Sequence, residues 1–330
     1  TPLHGSGLKP VTTVLDRDGF NLIDIVEEQR LPDGDFTTCP YPNPELKEAM
    51  DLGIKLMLEK ENDILIATDP DSDRAGVVVN NRKVPVILSG NEIGILLFDF
   101  IVNARLESHK MPKNPLVVKT IVSTDLINIM AKKYNVQVID VLTGFKFIGE
   151  QIHLLEEKSN VKRFLLGFEE SCGYLTNPAV RDKDAVNAML LICEMANYYK
   201  HRGITLVDRL EQLYKEFGDY KTVTISYEFG GLDGKEKMAQ IMANFRNPEI
   251  QKSLGNVHHI GDYLQQKLIF SDHEEPTNLP VSDVIKMFLD DAETVTIRPS
   301  GTEPKVKAYV FAHGEERVKA LKQIIDGLMK

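Results

Sequence analysis

Three aspartates alternate along Asp69, Pro70, Asp71, Ser72 and Asp73, with Arg74 next in line, directly after the apolar run Ile64, Leu65, Ile66, Ala67. At the end of a buried strand this alternation lets three carboxylates converge on one hard cation once the backbone curls. Arg74 is then poised to meet an anion bound to that cation. Asp and Pro also build solvated turns, but three crowded carboxylates without a counter-ion repel one another. The spacing therefore points to a metal site, and the ion expected is magnesium. A second segment, Arg298, Pro299, Ser300, Gly301, Thr302, Glu303, Pro304, Lys305, combines a guanidinium, two hydroxyls, a flexible glycine and an ammonium. Arg offers a donor pair matched to phosphate oxygens, and successive amides around Gly301 can hold an anion. The competing reading is a surface hairpin, which the same residue types favour.

Glu169 and Ser171 offer acceptors and a hydroxyl suited to sugar hydroxyl groups rather than to a second metal. Lys183, between Asp182 and Asp184 at a helix start, reads either as an exposed charge paired with its neighbours or as a phosphate ligand. Lys146 and Arg181 carry the same two readings. His258 and His259 have no Cys or carboxylate at metal spacing and read as satisfied or exposed histidines. His4 sits at an opening glycine turn, where a pocket position is one reading. An EF-hand loop starting at Asp69 needs Gly at its sixth position and Glu at its twelfth, and the chain has Arg74 and Asn80 there. A phosphatase of the haloacid-dehalogenase type would use Asp69 as nucleophile with Asp71 beside it. Its usual Thr or Val two places further on is Asp73 here, so that reading stands second.

These residues need strands and loops to position them. Ile64 to Thr68 and Ala75 to Val79 read as strands, with Asn80 and Asn81 turning the chain toward Val84 to Leu88. Before them come a helix ending at Gly19, a strand over Leu22 to Val26, and a helix capped by Asn43 with Pro44 first and Leu46, Met50 and Met57 on its inner face. A helix from about Glu92 to Arg105 closes this unit. A linker over Ser108 to Pro115 follows. Then come strands Leu116 to Val122, Val136 to Val141 and Phe164 to Phe168, a helix capped by Thr124 and running to Tyr134, and helices near Asp184 to Tyr199 and Thr205 to Phe217. Both informative loops of these units lie beyond strand ends, where open α/β sheets place ligands. From Tyr220 the pattern changes to strands Thr222 to Phe229, Thr294 to Arg298 and Lys305 to Phe311, with helices near Lys235 to Phe245 and Glu315 to Met329. The fold class expected is two consecutive α/β domains with mixed sheets, 1–108 and 109–218, and a smaller α+β domain, 219–330.

The 330 residues are 42% hydrophobic, enough for two or three domains. With 39 Lys and Arg against 49 Asp and Glu, the formal net charge is -10. No basic run or aromatic-basic interleaving accompanies it, which argues against nucleic acid as the main ligand and leaves a small phosphorylated metabolite open. Cys39, Cys172 and Cys193 suggest neither a disulfide framework nor a zinc site, and a reducing cytoplasm fits best. No stretch reads as a membrane span or signal peptide.

Taken together, DPDSDR at 69–74, TGFKFIG at 143–149, GFEESCGYL at 167–175, RDKD at 181–184 and RPSGTEPK at 298–305 resemble the α-D-phosphohexomutase family, nearest its bacterial glucose-phosphate members. The resemblance covers nearly the whole chain with its motifs in the family's order. It implies the second, third and fourth of the family's four domains, in a cytoplasmic, magnesium-dependent isomerase of carbohydrate metabolism. Phosphoryl groups would move between the 1- and 6-positions of glucose through a bisphosphorylated intermediate. The donor implied is a phosphoserine of the first domain.

Carried onto this chain, the resemblance makes Asp69, Asp71 and Asp73 magnesium ligands, with Arg74 close to the transferring group and Lys146 a candidate base. Glu169 and Ser171 would hold sugar hydroxyls, and Thr143, Arg181 and Lys183 fall in the substrate motifs. Arg298, Ser300, Gly301, Thr302 and Lys305 would grip the phosphate that is not reacting. The partners implied are a hexose phosphate, a hexose bisphosphate and the missing N-terminal domain. The family's Thr-Ala-Ser-His-Asn-Pro loop does not occur here. Ser108 with His109 lacks its flanking residues and reads as linker surface. The chain opens mid-motif, so a truncation is expected, and the fragment alone should bind without turning over. Position 72 is Ser where the family often has Gly. Phosphomannomutase activity is the near alternative, and a non-catalytic sugar-phosphate-binding protein a further one.

Overall fold

A computed structural model describes residues 1–231, 233–301 and 303–329. The chain forms two compact units, one of Thr1–Ser123 with Ile127–Glu216, the other of Thr124–Leu126 with Phe217–Lys330.

The first unit opens with helices α1 (Leu8–Arg17) and α2 (Lys47–Glu59), followed by strands β1 (Ile64–Thr68), β2 (Ala75–Asn81) and β3 (Val84–Leu88). These strands form an antiparallel sheet in the order β1-β2-β3. Leu65 and Ala67 bury themselves against Met50 and Met57 of α2, which fixes the strand that feeds the aspartate loop. Helix α3 (Gly90–Glu107) follows. Its start is set by a capping box in which Glu92 N–H donates to Ser89 Oγ at 3.3 Å and Ser89 N–H donates to Glu92 Oε2 at 2.8 Å.

The chain continues through β4 (Leu116–Thr120), α4 (Leu126–Tyr134), β5 (Gln137–Val141), α5 (Phe145–Glu157), β6 (Phe164–Glu169), β7 (Gly173–Leu175), α6 (Ala185–Lys200) and α7 (Leu206–Phe217). The sheet order is β5-β4-β6-β7, parallel except for β7. Strands β4 and β6 are buried along their whole length, as parallel strands covered on both faces must be. Lys119, fully buried in β4, is ion-paired with Asp140 Oδ1 at 2.9 Å. Helix α3 lies close against β6, since a Cβ at Gly94 would come within 2.6 Å of the Phe168 ring.

Among the described residues the second unit is a seven-stranded antiparallel sheet with three α-helices. Its elements are β8 (Tyr220–Glu228), α8 (Gly234–Phe245), α9 (Pro248–Leu254), β9 (Val257–Asp262), β10 (Lys267–Phe270), β11 (Glu274–Pro276), β12 (Ile285–Leu289), β13 (Thr294–Pro299), β14 (Lys305–His313) and α10 (Gly314–Leu328). The order is β11-β10-β9-β12-β13-β14-β8, and alternate residues of β12, β13 and β14 meet α8, α9 and α10 in one core. The α/β class with a C-terminal α+β unit is therefore the observed architecture.

Several local expectations change. Leu22 to Val26 is irregular chain with Leu22 fully exposed, not a strand. Helix α2 begins at Lys47 rather than Pro44, and Leu46 is its exposed N-cap rather than an inner residue. The β2–β3 turn is made by Arg82 and Lys83, not by the asparagines. Asn81 pairs with Val84, which leaves a two-residue loop, and both loop residues take the positive φ that such a turn requires (55° and 70°). Helices α5 and α9 and strands β7 and β9–β12 are present in addition to the elements expected from the sequence. In β12 a buried Lys286 interrupts the apolar pattern, tolerated because Asp125 Oδ2 accepts from it at 2.7 Å.

Candidate functional site

The aspartate loop leaves β1 and curls back into β2. Asp69, nearly buried, accepts through Oδ1 from the backbone N–H groups of Asp73 (3.0 Å) and Arg74 (2.9 Å), which sets the curl. Ser72 takes a left-handed φ of 62° within it, a conformation that glycine reaches without cost, and its Oγ lies 3.0 Å from Ser6 Oγ. One oxygen from each of Asp69, Asp71 and Asp73 lies within 4.8 Å of the others. Burial, opposed by the Arg74 N–H and reinforced by the charges of Asp73 and Asp71, pushes the Asp69 carboxyl up to about 7. Hard oxygens crowded this closely suit a divalent cation, whose charge would reverse that repulsion.

The loop rests on the opening glycine segment. A Cβ at Gly5 would fall 2.3 Å from Pro70 Cα and one at Gly7 2.4 Å from Thr68 Oγ1, while Ser6 N–H donates to Pro70 O at 2.8 Å. Read in sequence as a turn, Gly5 and Gly7 are the platform under the aspartates. The signal was a glycine pair, which can mean close backbone approach as readily as a turn. His4 is a structural residue, with Nδ1 2.9 Å from Leu31 O and Nε2 2.7 Å from Thr38 Oγ1.

Backbone hydrogen bonds tie this loop to the other motifs of the unit. Arg74 forms an antiparallel bridge with Gly173, and Ala75 N–H donates to Cys172 O at 2.9 Å. Ala185 N–H donates to Ser72 O at 3.2 Å and Asp184 N–H to Tyr174 O at 3.0 Å, which brings the 181–184 segment alongside. Lys183 Nζ lies 2.6 Å from Asp73 Oδ2. Burial works against its charge, but Asp73, then Asp182 and Glu169, hold its pKa above the usual lysine value. Arg74 spans the cluster, with Nε 3.7 Å from Asp69 Oδ2 and 3.9 Å from Asp73 Oδ1, and Nη1 3.4 Å from Glu45 Oε1. Glu45 had no signal in the sequence.

Glu169 ends β6 and is buried. Its Oε1 accepts from Gly144 N–H at 2.8 Å, joining the 167–175 and 143–149 motifs. Burial raises its pKa against the pull of that N–H, Lys183 and Arg74. Beside it, Thr143 Oγ1 is buried without a hydrogen-bond partner among the described residues. Behind it, a Cβ at Gly90 would fall 2.0 Å from Glu170 O, so α3 can approach this loop only with glycine there. Ser171 is half-buried. Arg181 is engaged with Glu156 and the Pro178 carbonyl, and Lys146 is exposed with Nζ 4.9 Å from the Phe147 ring centre. The three thiols are free, and burial raises the pKa of each.

In the second unit, Arg298 and Pro299 end β13 and Lys305 starts β14, so the segment is a β-hairpin loop. Ser300 N–H donates to Lys305 O at 2.8 Å, Ser300 Oγ accepts from Glu303 N–H at 3.2 Å, and Lys305 Nζ pairs with Glu303 Oε1 at 3.0 Å. Arg298 makes no ion pair among the described residues. A Cβ at Gly301 would meet nothing within 4 Å, and Thr302 lies outside the described residues.

Three family models match in succession: phosphoglucomutase/phosphomannomutase alpha/beta/alpha domain II over residues 1–83, alpha/beta/alpha domain III over 89–217 and the C-terminal domain over 235–328. The chain belongs to the phosphoglucomutase/phosphomannomutase family. Its curated phosphohexomutase relatives include a phosphoglucomutase of Staphylococcus aureus strain MSSA476, 38% identical over 314 residues, which are 94% of this chain and 55% of the relative. The chain thus spans about half the length of the curated relatives it matches. Solved structures with the same fold include parafusin, a phosphoglucomutase from Paramecium in an open form (19% identity, TM-score 0.63, 91% of this chain and 52% of that one). A phosphoglucomutase/phosphomannomutase family protein from Burkholderia thailandensis also matches (14% identity, TM-score 0.68, 100% and 59%). Membership removes the dehalogenase-type reading of Asp69. Among the described residues no helix is long and apolar enough to cross a membrane.

An effect of pH follows from the raised Asp69 carboxyl. A carboxyl whose folded pKa lies above its unfolded value favours the folded state most when protonated, so ionising it costs stability as pH rises toward 7. A divalent cation held by these carboxylates would need the ionised form and would offset that cost. If the three aspartates hold such a cation, the rise in melting temperature on adding millimolar magnesium is expected to be larger at pH 8 than at pH 6. Thermal scans at the two pH values check it, and an equal rise at both would contradict it.

Proposed function

We propose that this chain carries the metal-, sugar- and phosphate-binding parts of a cytoplasmic phosphoglucomutase that interconverts glucose 1-phosphate and glucose 6-phosphate. The observation that carries the reading is the joining of three motifs in one unit: the aspartate loop bridged to Gly173, with Lys183 on Asp73 and Glu169 at the neighbouring strand end. A three-domain division at 1–108, 109–218 and 219–330 belongs to the same proposal; three family models in succession accord with three domains and with a boundary near 218, while the second model begins at residue 89 and so takes in α3.

In this reading Asp69, Asp71 and Asp73 would hold magnesium, whose charge would stabilise the serine oxygen left behind when the phosphoryl group moves to the sugar hydroxyl. Arg74 adds a fixed positive charge at the transferring group. Glu169 and Ser171 hold sugar hydroxyls, and the unpartnered Thr143 Oγ1 is a buried acceptor and donor that a ligand or water would satisfy. Arg298, Ser300, Gly301, Thr302 and Lys305 hold the distal phosphate, so that binding energy away from the reacting atoms positions the sugar. Lys183 and Arg181 are further substrate contacts, and Lys146 remains the candidate base. The serine donor is supplied from outside these residues. Phosphomannomutase activity is the second reading, because the matching family models cover both activities and one epimeric hydroxyl separates the substrates.

Calorimetry with glucose 1,6-bisphosphate, with and without magnesium, beside a coupled assay for glucose 6-phosphate formation, tests the proposal. Magnesium-dependent binding without interconversion is expected of this chain alone. Absence of binding would contradict the site, interconversion would contradict an external donor, and tighter binding of mannose 1,6-bisphosphate would favour the second reading.

A further inference from the structure

We propose that Lys183 is the resident counter-ion of the carboxylate cluster and gives up Asp73 when a divalent cation enters, so that cation uptake frees an ammonium beside Glu169 for an anionic substrate group. The inference rests on the reading of Asp69, Asp71 and Asp73 as metal ligands. It concerns what must happen to this chain's own charges when that site fills.

Three carboxylates converge here and two cations answer them. Arg74 makes only long contacts with two of them, 3.7 Å to Asp69 Oδ2 and 3.9 Å to Asp73 Oδ1, and its guanidinium is also held by Glu45 at 3.4 Å. Lys183 contacts a candidate ligand oxygen directly, Asp73 Oδ2 at 2.6 Å. Magnesium binds carboxylate oxygens at roughly 2.0–2.1 Å, and an ammonium hydrogen-bonded to the same carboxylate repels it.

The contact, not the total charge, sets the competition: Arg74 is shared with Glu45, and of the two side-chain cations only Lys183 sits at hydrogen-bond distance on an oxygen that the cation would need. Lys183 is the one with somewhere to go. Its second acidic neighbour, Asp182, has Oδ1 3.8 Å away on the same segment and is well exposed. Its stem crosses Gly173, where a Cβ would fall 2.8 Å from Lys183 Cδ, so the chain can move over that position without meeting a side chain. Metal and anionic substrate would then bind cooperatively, because the first frees the group that attracts the second.

Amine acylation of the intact chain, read by mass spectrometry with and without magnesium, tests the inference, with the well-exposed Lys83 as an internal reference. Lys183 is expected to label severalfold faster once magnesium is bound, with Lys83 unchanged. In parallel, Lys183→Met should bind magnesium roughly tenfold more tightly, since a competing unit charge is removed at contact distance. Normal magnesium binding with unchanged or slower Lys183 labelling would overturn the inference and leave the metal site standing, even if the variant failed to fold. Absence of magnesium binding by the parent chain would overturn the metal reading and the inference with it.

Discussion

Asp71→Ala is expected to abolish measurable magnesium binding while leaving the fold intact. Asp71 is exposed and makes no hydrogen bond or ion pair among the described residues, so its removal costs the structure little. Asp69 is a poorer test, because its carboxylate also sets the loop by accepting from two backbone N–H groups. Loss of one anionic ligand from a partly solvated cation site is worth on the order of 3 kcal/mol, more than about a hundredfold in affinity. Calorimetric titration of parent and variant, with circular dichroism to verify folding, measures the effect. Equal affinities would mean that the three carboxylates do not act together.

The second large effect is expected at Arg298→Ala, which should weaken binding of glucose phosphates by about 1.5 to 3 kcal/mol through loss of charge-assisted hydrogen bonds. Within its hairpin, Lys305 is already paired with Glu303. Arg298 has no such partner among the described residues and is the cation left to meet a phosphate. Stability should hardly change, since the guanidinium anchors nothing in the described structure. Equal affinities for parent and variant would remove Arg298 from the phosphate clamp.

Where local pattern and tertiary requirement coincide, the sequence was readable. Ile64–Thr68 and Val84–Leu88 are strands with the expected limits because short apolar runs end at turn-forming residues. The capping residues Ser89 and Glu92 mark the start of α3 at Gly90, two residues before the start expected at about Glu92. Phe145, Ile148, Ile152 and Leu155 keep helical spacing on the buried face of α5, but the Thr-Gly-Phe-Lys motif that spans its start has the composition of a loop and masks the helix in the sequence. Leu22–Val26 has strand composition, but composition does not supply a neighbour to pair with.

Within the site, the three aspartates were legible because alternation itself encodes convergence. The contacts that organise them were not. Gly5 against Pro70, Gly90 against Glu170, and Lys183 on Asp73 all join residues distant in sequence, where no local pattern predicts approach. Lys183 read most simply as an exposed charge, yet its ammonium sits on the candidate ligand that the sequence had assigned to a metal.

The proposed function requires a divalent cation at Asp69, Asp71 and Asp73, next to the loop carrying Glu169 and Gly173. Titration with manganese, followed by paramagnetic broadening of backbone amide resonances, locates that cation. The amides of residues 69–74 and 172–173 and the segment around Lys183 should disappear first, and excess magnesium should restore them. First broadening at another acidic stretch, such as Asp290 and Asp291, with the 69–74 amides unaffected, would contradict the account.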